Sequence, residues 1–237
     1  MSRAFYSKLV SDIQVKVKKL QNTFIFLKND GSKIGLYDMD TRKVSKLSTS
    51  TVANRSQCTQ VGLGLYVYEI REEGQWSLLK DLIKGRVSKA QKSKPIFSKR
   101  YNISLANFNN QFIFALGGFL VYKTYADVYR YDIGLDQWDI LPAINLSRHS
   151  QSSCVLGSSL YVCGGIKEDC RSASTIERLF ITDARTGETS NEWEILEISH
   201  RIGLCLMTPV SLNEILLLKS IENSVVINVD QMTKEQY

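Results

Sequence analysis

Residues 100–146 read RYNISLANFNNQFIFALGGFLVYKTYADVYRYDIGLDQWDILPAINL, and this stretch decides the fold. Four short segments of strand character follow one another, each closed by a turn signal. Tyr101–Phe108 stops at Asn109-Asn110, and the apolar run Gln111–Leu116 stops at Gly117-Gly118. In Asp127–Asp132, Tyr129 and Tyr131 stand two apart, which puts both rings on one strand face. Trp138–Leu141 is short and ends at Pro142. Four strands in about 47 residues, with a double Gly and a Tyr-x6-Trp spacing, match the size of one propeller blade.

The next stretch repeats the pattern. From Arg148 it places an Arg first, then an apolar strand ending in Gly164-Gly165, a strand ending in Asp183, and Trp193. The glycine pairs lie 47 residues apart, Asp132 and Asp183 lie 51 apart, and Trp138 and Trp193 lie 55 apart. The interval grows because the second copy has longer turns, notably RTGETSNE before Trp193.

These features resemble the Kelch-repeat family. Gly117, Gly118, Tyr131, Asp132 and Trp138 carry the likeness in the first copy, and Gly164, Gly165, Asp183 and Trp193 in the second. Thr182 departs from the Tyr position, with Phe180 two earlier. The resemblance implies an all-β, Kelch-type β-propeller. About five four-stranded blades fit, some degenerate, at 21–50, 51–98, 99–147, 148–198 and 199–237. In the first, Val44 takes the Trp place; in the second, Trp76–Leu79 fits the third strand or the fourth. In the last, Asp230 takes the place of Asp132, and no fourth strand follows. The alternating segment Ile13–Leu20, within 12–20, could supply that strand and close the ring, since an open blade edge invites aggregation. The competing expectation is a larger propeller completed by another chain.

A chain of 237 residues can bury a large core, and 43% hydrophobic with 23% charged residues excludes a disordered class. The first residues lack an apolar signal core, and no apolar run is long enough to span a bilayer. With an odd number of cysteines (Cys58, Cys154, Cys163, Cys170 and Cys205), the expected setting is reducing and cytoplasmic. Small buried residues explain these cysteines better than redox or metal chemistry.

Charge is uneven. Residues 1–100 hold 20 Lys and Arg against 8 Asp and Glu, and residues 101–237 hold 10 against 16. The surface is therefore expected to be polarised and to favour an acidic partner. Lys80–Arg100 carries eight cations and one acid without clear periodicity, and reads largely as an exposed loop.

No catalytic constellation is legible. His149 and His200 lie 51 apart with no third ligand, a poor metal site, and no cofactor is implied. The glycine pairs fit positive-φ turns and close packing between blades, and the Tyr and Trp residues fit inter-blade core. By the resemblance, an Arg opening an inner strand faces the ligand mouth. Arg148 and Arg201 are the expected contacts, with Arg201-Ile202-Gly203 similar to members that grip acidic peptides. Arg55 and Arg100 are weaker counterparts, His149 and His200 adjoin them, and Lys89, Lys92 and Lys94 stand in a loop expected on the same side. The expected function is a non-catalytic protein–protein scaffold or adaptor that captures an acidic segment through bidentate Arg and steering Lys. Replacing Arg148 and Arg201 together by Ala is expected to weaken capture and leave the fold intact. A ubiquitin-ligase role would need a separate recruiting chain. The alternative is a propeller enzyme acting on a sugar acid. Nucleic acid binding is disfavoured, because Phe97 alone offers stacking in the Lys-rich segment. No membrane association is expected.

Overall fold

The computed structural model describes residues 23–27, 34–38, 43–48, 57–61, 64–69, 75–80, 88–91, 97, 100–196, 202–218 and 224–231. The proposed closing segment Ile13–Leu20 lies outside them. Among the described residues no α-helix occurs, only antiparallel strands and a 3-10 turn at Val229–Gln231. None of them forms a helix long and apolar enough to cross a membrane. The arrangement is all-β and consistent with a β-propeller. The strands fall into two compact units, one holding those between Thr23 and Gln91 and the other holding those that follow.

The first unit contains two sheets. β1 (Thr23–Leu27), β2 (Ile34–Asp38) and β3 (Lys43–Ser48) pair in sequence order. Tyr37 stands opposite Val44, the register that Tyr131 and Trp138 share further on. β4 (Gln57–Val61), β5 (Gly64–Glu69), β6 (Gln75–Lys80) and β7 (Ser88–Gln91) form a four-stranded sheet. Trp76 therefore sits on the third strand. The Lys-rich segment contributes β7, so it is not wholly a loop, and Phe97 beyond it is buried.

The second unit stacks three sheets. One has the order β13-β12-β9-β8, from β8 (Ser104–Phe108), β9 (Phe112–Leu116), β12 (Val128–Asp132) and β13 (Gln137–Leu141). A small hairpin of β10 (Phe119–Leu120) and β11 (Lys123–Thr124) projects between its second and third strands. The next sheet runs β14 (Ser152–Leu156), β15 (Ser159–Cys163), β16 (Ile176–Asp183), with β17 (Glu188–Thr189) and β18 (Glu194–Leu196) both paired to β16. The last has β19 (Leu206–Pro209), β20 (Glu214–Leu218) and β21 (Ser224–Asn228). β14 lies beside both β8 and β19, so first strands meet first strands.

Apolar side chains fill the gaps between sheets. Phe108, Phe112, Phe114, Leu116 and Val128 pack against Leu160, Val162, Leu179, Ile181 and Trp193. The opposite face of the second sheet, with Cys154, Tyr161 and Ile176, packs against Met207, Ile215 and Leu217. β9 and β15 are buried along their whole length, as strands covered on both faces must be. Tyr131 and Trp138 are direct cross-strand partners with ring centroids 4.9 Å apart, which accounts for their spacing. Phe97 lies against Tyr129 (4.8 Å) and edge-on to Trp138 (5.4 Å). Trp193 instead reaches the preceding sheet, its indole N–H donating to the Pro142 carbonyl at 2.8 Å.

The repeated Asp residues close turns. The Asp132 carboxylate accepts from the Gly134 N–H at 2.8 Å, and that of Asp183 from the Arg185 N–H at 2.7 Å. In the last sheet Asn228 has this part, accepting from the Asp230 N–H at 2.9 Å. The expected equivalence of Asp230 with Asp132 is therefore off by two residues.

Both double glycines have positive φ, +60° and +108° at Gly117 and Gly118, +61° and +91° at Gly164 and Gly165. Each meets the backbone that opens the following sheet: the Gly118 N–H donates to the Arg148 carbonyl at 3.0 Å, and that of Gly165 to the Gly203 carbonyl at 3.2 Å. A Cβ at Gly164 would stand 2.0 Å from the Gly203 oxygen, whereas one at Gly157, with φ +57°, would meet nothing within 4 Å. Gly157→Ala is thus expected to cost only the left-handed backbone strain, about 1–2 kcal/mol. Gly164→Ala adds the steric overlap and is expected to cost at least about 1 kcal/mol more. Urea denaturation of the two variants checks the difference; equal midpoints would contradict the close approach.

Candidate functional site

The starts of β8 and β14 are built alike. Arg100, Tyr101 and Asn102 precede β8, and Arg148, His149 and Ser150 precede β14. Tyr101 bridges to Phe119 and His149 to Ile166, each the residue after a double Gly. Asn102 and Ser150 both take φ +54°, and the Ser150 N–H donates to the Asn102 carbonyl at 3.0 Å. Arg100 and Arg148 therefore occupy the same structural position.

Neither guanidinium faces a ligand mouth. Arg148 is fully buried and pairs with the equally buried Glu177. Its Nε donates to the Leu146 carbonyl (3.1 Å), Nη1 to the Gly164 carbonyl (3.1 Å) and Nη2 to the Thr175 hydroxyl (2.9 Å) and Glu177. The second Glu177 oxygen accepts the Asn145 N–H at 2.6 Å. Burial pulls the Arg148 pKa down, and the Glu177 carboxylate opposes that. Arg100 is also buried; it donates to Asp127 at 2.6 Å and stacks 3.7 Å above the Tyr125 ring. Both arginines pin a first strand to the third strand of their own sheet. The expectation that they contact a partner is corrected: their guanidiniums are turned inward and engaged.

His149 stays partly exposed. Its Nδ1 lies 3.0 Å from the Ser150 hydroxyl and its ring 5.0 Å from Phe119. Burial lowers its pKa, so at neutral pH it adds no positive charge. Arg55, Lys92, Lys94, His200 and Arg201 lie outside the described residues, and Lys89 is placed by the β7 backbone. The carbonyl matching that of Arg148 belongs to Gly203.

The loops after the double glycines present different groups. The β10–β11 hairpin turns through Val121 (φ +44°) and Tyr122 (φ +67°), which are 74% and 87% exposed. A β-branched residue at positive φ is unusual and costs about 1–3 kcal/mol, which makes this solvent-facing tip a candidate site. Exposed Lys123 follows, with its ammonium 5.2 Å from the Tyr125 ring. The matching loop carries Lys167, Glu168, Asp169, Cys170 and Arg171. Arg171 is 82% exposed, and Lys167 pairs with Asp169 at 3.3 Å. The sequence concealed this tip, because Val-Tyr carries none of the Asn-Gly chemistry that marks tight hairpins. Among the described residues no cluster of three or more His, Cys, Asp or Glu is placed to hold a metal ion.

Comparison with known proteins gives a partial likeness. Over 68 residues the chain is 29% identical to Kelch repeat protein M-T9 of Myxoma virus (strain Lausanne), a match covering 29% of this chain and 13% of that protein. No protein-family model matches the chain.

Arg148→Ala would leave Glu177 buried without a counter-charge, at an expected cost of about 3–5 kcal/mol. Replacing both residues by Met is expected to recover most of that loss. Chemical denaturation of the single and double variants checks this. An Arg148→Ala variant as stable as the parent would return Arg148 to the surface. The paired Ala change at Arg148 and Arg201 therefore cannot separate binding from folding.

Proposed function

We propose that the chain is a non-catalytic interaction module of the Kelch-repeat type, a scaffold or adaptor for another protein. The observation that carries this reading is the strained, solvent-facing Val121-Tyr122 tip, held on a rigid sheet beside Lys123. Loops on a fixed scaffold are where binding residues concentrate, and a rigid aromatic beside cations suits a peptide with both apolar and acidic side chains. The partner is an acidic segment. Lys123 and Arg171 contact it; Lys89, Lys92, Lys94, Arg55, His200 and Arg201 are retained from the sequence as further candidate contacts. The excess of Lys and Arg in residues 1–100 supports that polarity and favours fast, salt-sensitive association.

The blades form a single ring of about five sheets over residues 1–237, with 12–20 adding a strand to the last. Support comes from the sequence: Ile13, Val15 and Val17 alternate with Gln14, Lys16 and Lys18, as a half-buried strand requires. Removing residues 12–20 is expected to lower the melting temperature by several degrees; an unchanged transition would exclude this closure.

An Asp/Glu-rich peptide and its Asn/Gln counterpart, both containing Leu, test the binding surface by fluorescence anisotropy. The acidic peptide is expected to bind at least about tenfold more tightly and to weaken as salt rises. Tyr122→Ala with Lys123→Glu and Arg171→Glu is expected to abolish that preference while leaving the circular dichroism spectrum unchanged. Equal binding of the two peptides, or a variant that retains the preference, would defeat the reading.

A further inference from the structure

Three of the five cysteines converge between the second unit's middle and last sheets. Cys154 lies on β14, Cys163 ends β15, and Cys205 immediately precedes β19; all three belong to the same packed cluster. The sulfurs of Cys163 and Cys205 lie 3.2 Å apart with no bond joining them. Their backbones are held from both sides. Cys163 precedes Gly164-Gly165, and the Gly165 N–H donates to the carbonyl of Gly203, two residues before Cys205. The close backbone approach that needs glycine thus also fixes the thiol pair. Spacing alone could not show it, because the two cysteines are 42 residues apart.

We infer that Cys163 and Cys205 form a reversible disulfide that ties the last sheet to the one before it, with a peroxide or a small-molecule disulfide as oxidant. The sulfurs need only close from 3.2 Å to about 2.05 Å. Cys163 is fully buried and Cys205 partly exposed, so the oxidant reaches Cys205 first. With hydrogen peroxide, the Cys205 sulfur attacks one oxygen, the O–O bond breaks, and water leaves a sulfenic acid. The Cys163 sulfur then gives up its proton and attacks the Cys205 sulfur, and the S–O bond breaks to release a second water. Two thiols lose two electrons, and one peroxide becomes two waters.

The protonation of Cys163 sets the rate. The contact with Cys205, together with burial, raises the Cys163 pKa well above the ordinary thiol value, and the buried Arg148 cation opposes that rise. Little thiolate is present near neutrality, so closure is slow and speeds up with pH. Cys170 is exposed, so it offers a competing route to cross-links between chains.

The test uses the full-length chain carrying Cys170→Ser, treated with hydrogen peroxide or oxidised glutathione and monitored by circular dichroism. Four cysteines remain in this variant. The thiol count after unfolding is expected to fall by two, and non-reducing peptide mapping to find Cys163 joined to Cys205. Dithiothreitol restores both thiols. Hydrogen exchange in β19–β21 is expected to slow by about tenfold or more in the oxidised form. Adding Cys205→Ser should abolish both the link and the slowing. Chains that stay folded with Cys163 and Cys205 unlinked, or that join Cys154 to either one, would overturn the inference.

Discussion

The second unit depends on one backbone approach: the peptide that joins each pair of glycines lies against the carbonyl that opens the next sheet. The Gly118–Arg148 and Gly165–Gly203 hydrogen bonds each contribute about 1 kcal/mol net. That is little beside the apolar area buried between sheets. Their effect is on geometry. They fix where each sheet starts relative to its neighbour, and any side chain at Gly164 would force the sheets apart. The apolar residues supply attraction without direction; the glycine contacts select one arrangement.

From that contact follows the burial of the arginines. Once the Arg148 carbonyl turns to Gly118, the side chain is carried inward, where water cannot solvate it. Only a carboxylate and several carbonyls can hold a guanidinium there, and Glu177, Leu146, Gly164 and Thr175 do so. The Arg100 position uses a looser version, with an aromatic ring and a half-exposed Asp127. A strong pattern in the sequence, Arg before an apolar strand, thus marks a structural pin.

The lengthened turn of the second repeat has a cause of a similar kind. Three successive carbonyls, of Ala184, Arg185 and Thr186, accept hydrogen bonds from Asn109 (3.3 Å), Gln111 (3.2 Å) and Arg130 (2.7 Å) on the sheet before. Gly187 lies close to the Phe112 ring, where a Cβ would come within 3.0 Å. The extra residues are a clasp between sheets. Strands such as Ser104–Phe108 and Phe112–Leu116 were legible because a short apolar run bounded by turn residues is a local signal. The Arg148–Glu177 pair, the Cys163–Cys205 contact and the use of Asn228 in place of Asp230 were not, because each depends on which residues long-range pairing brings together. β7 was hidden by its charge, since SKAQ carries no apolar alternation and gains its strand conformation from β6.

These constraints also bear on where recognition can occur. The strand starts are crowded with hydrogen bonds between sheets, and a side chain placed there is committed to the fold. In the loops that leave the double glycines, the base residues share that duty: Phe119 and Ile166 bridge back, Thr124 bonds to Ser147, and the Tyr125 carbonyl accepts the Arg148 N–H. The chain is anchored at its base and unconstrained at its tip. Successive loops can then differ freely: one ends in Val121-Tyr122, the other in a charged turn around Asp169 and Arg171. A scaffold that fixes the base and releases the tip separates the residues that hold sheets together from those that meet a partner, and the strained backbone at Val121 lies on the released side.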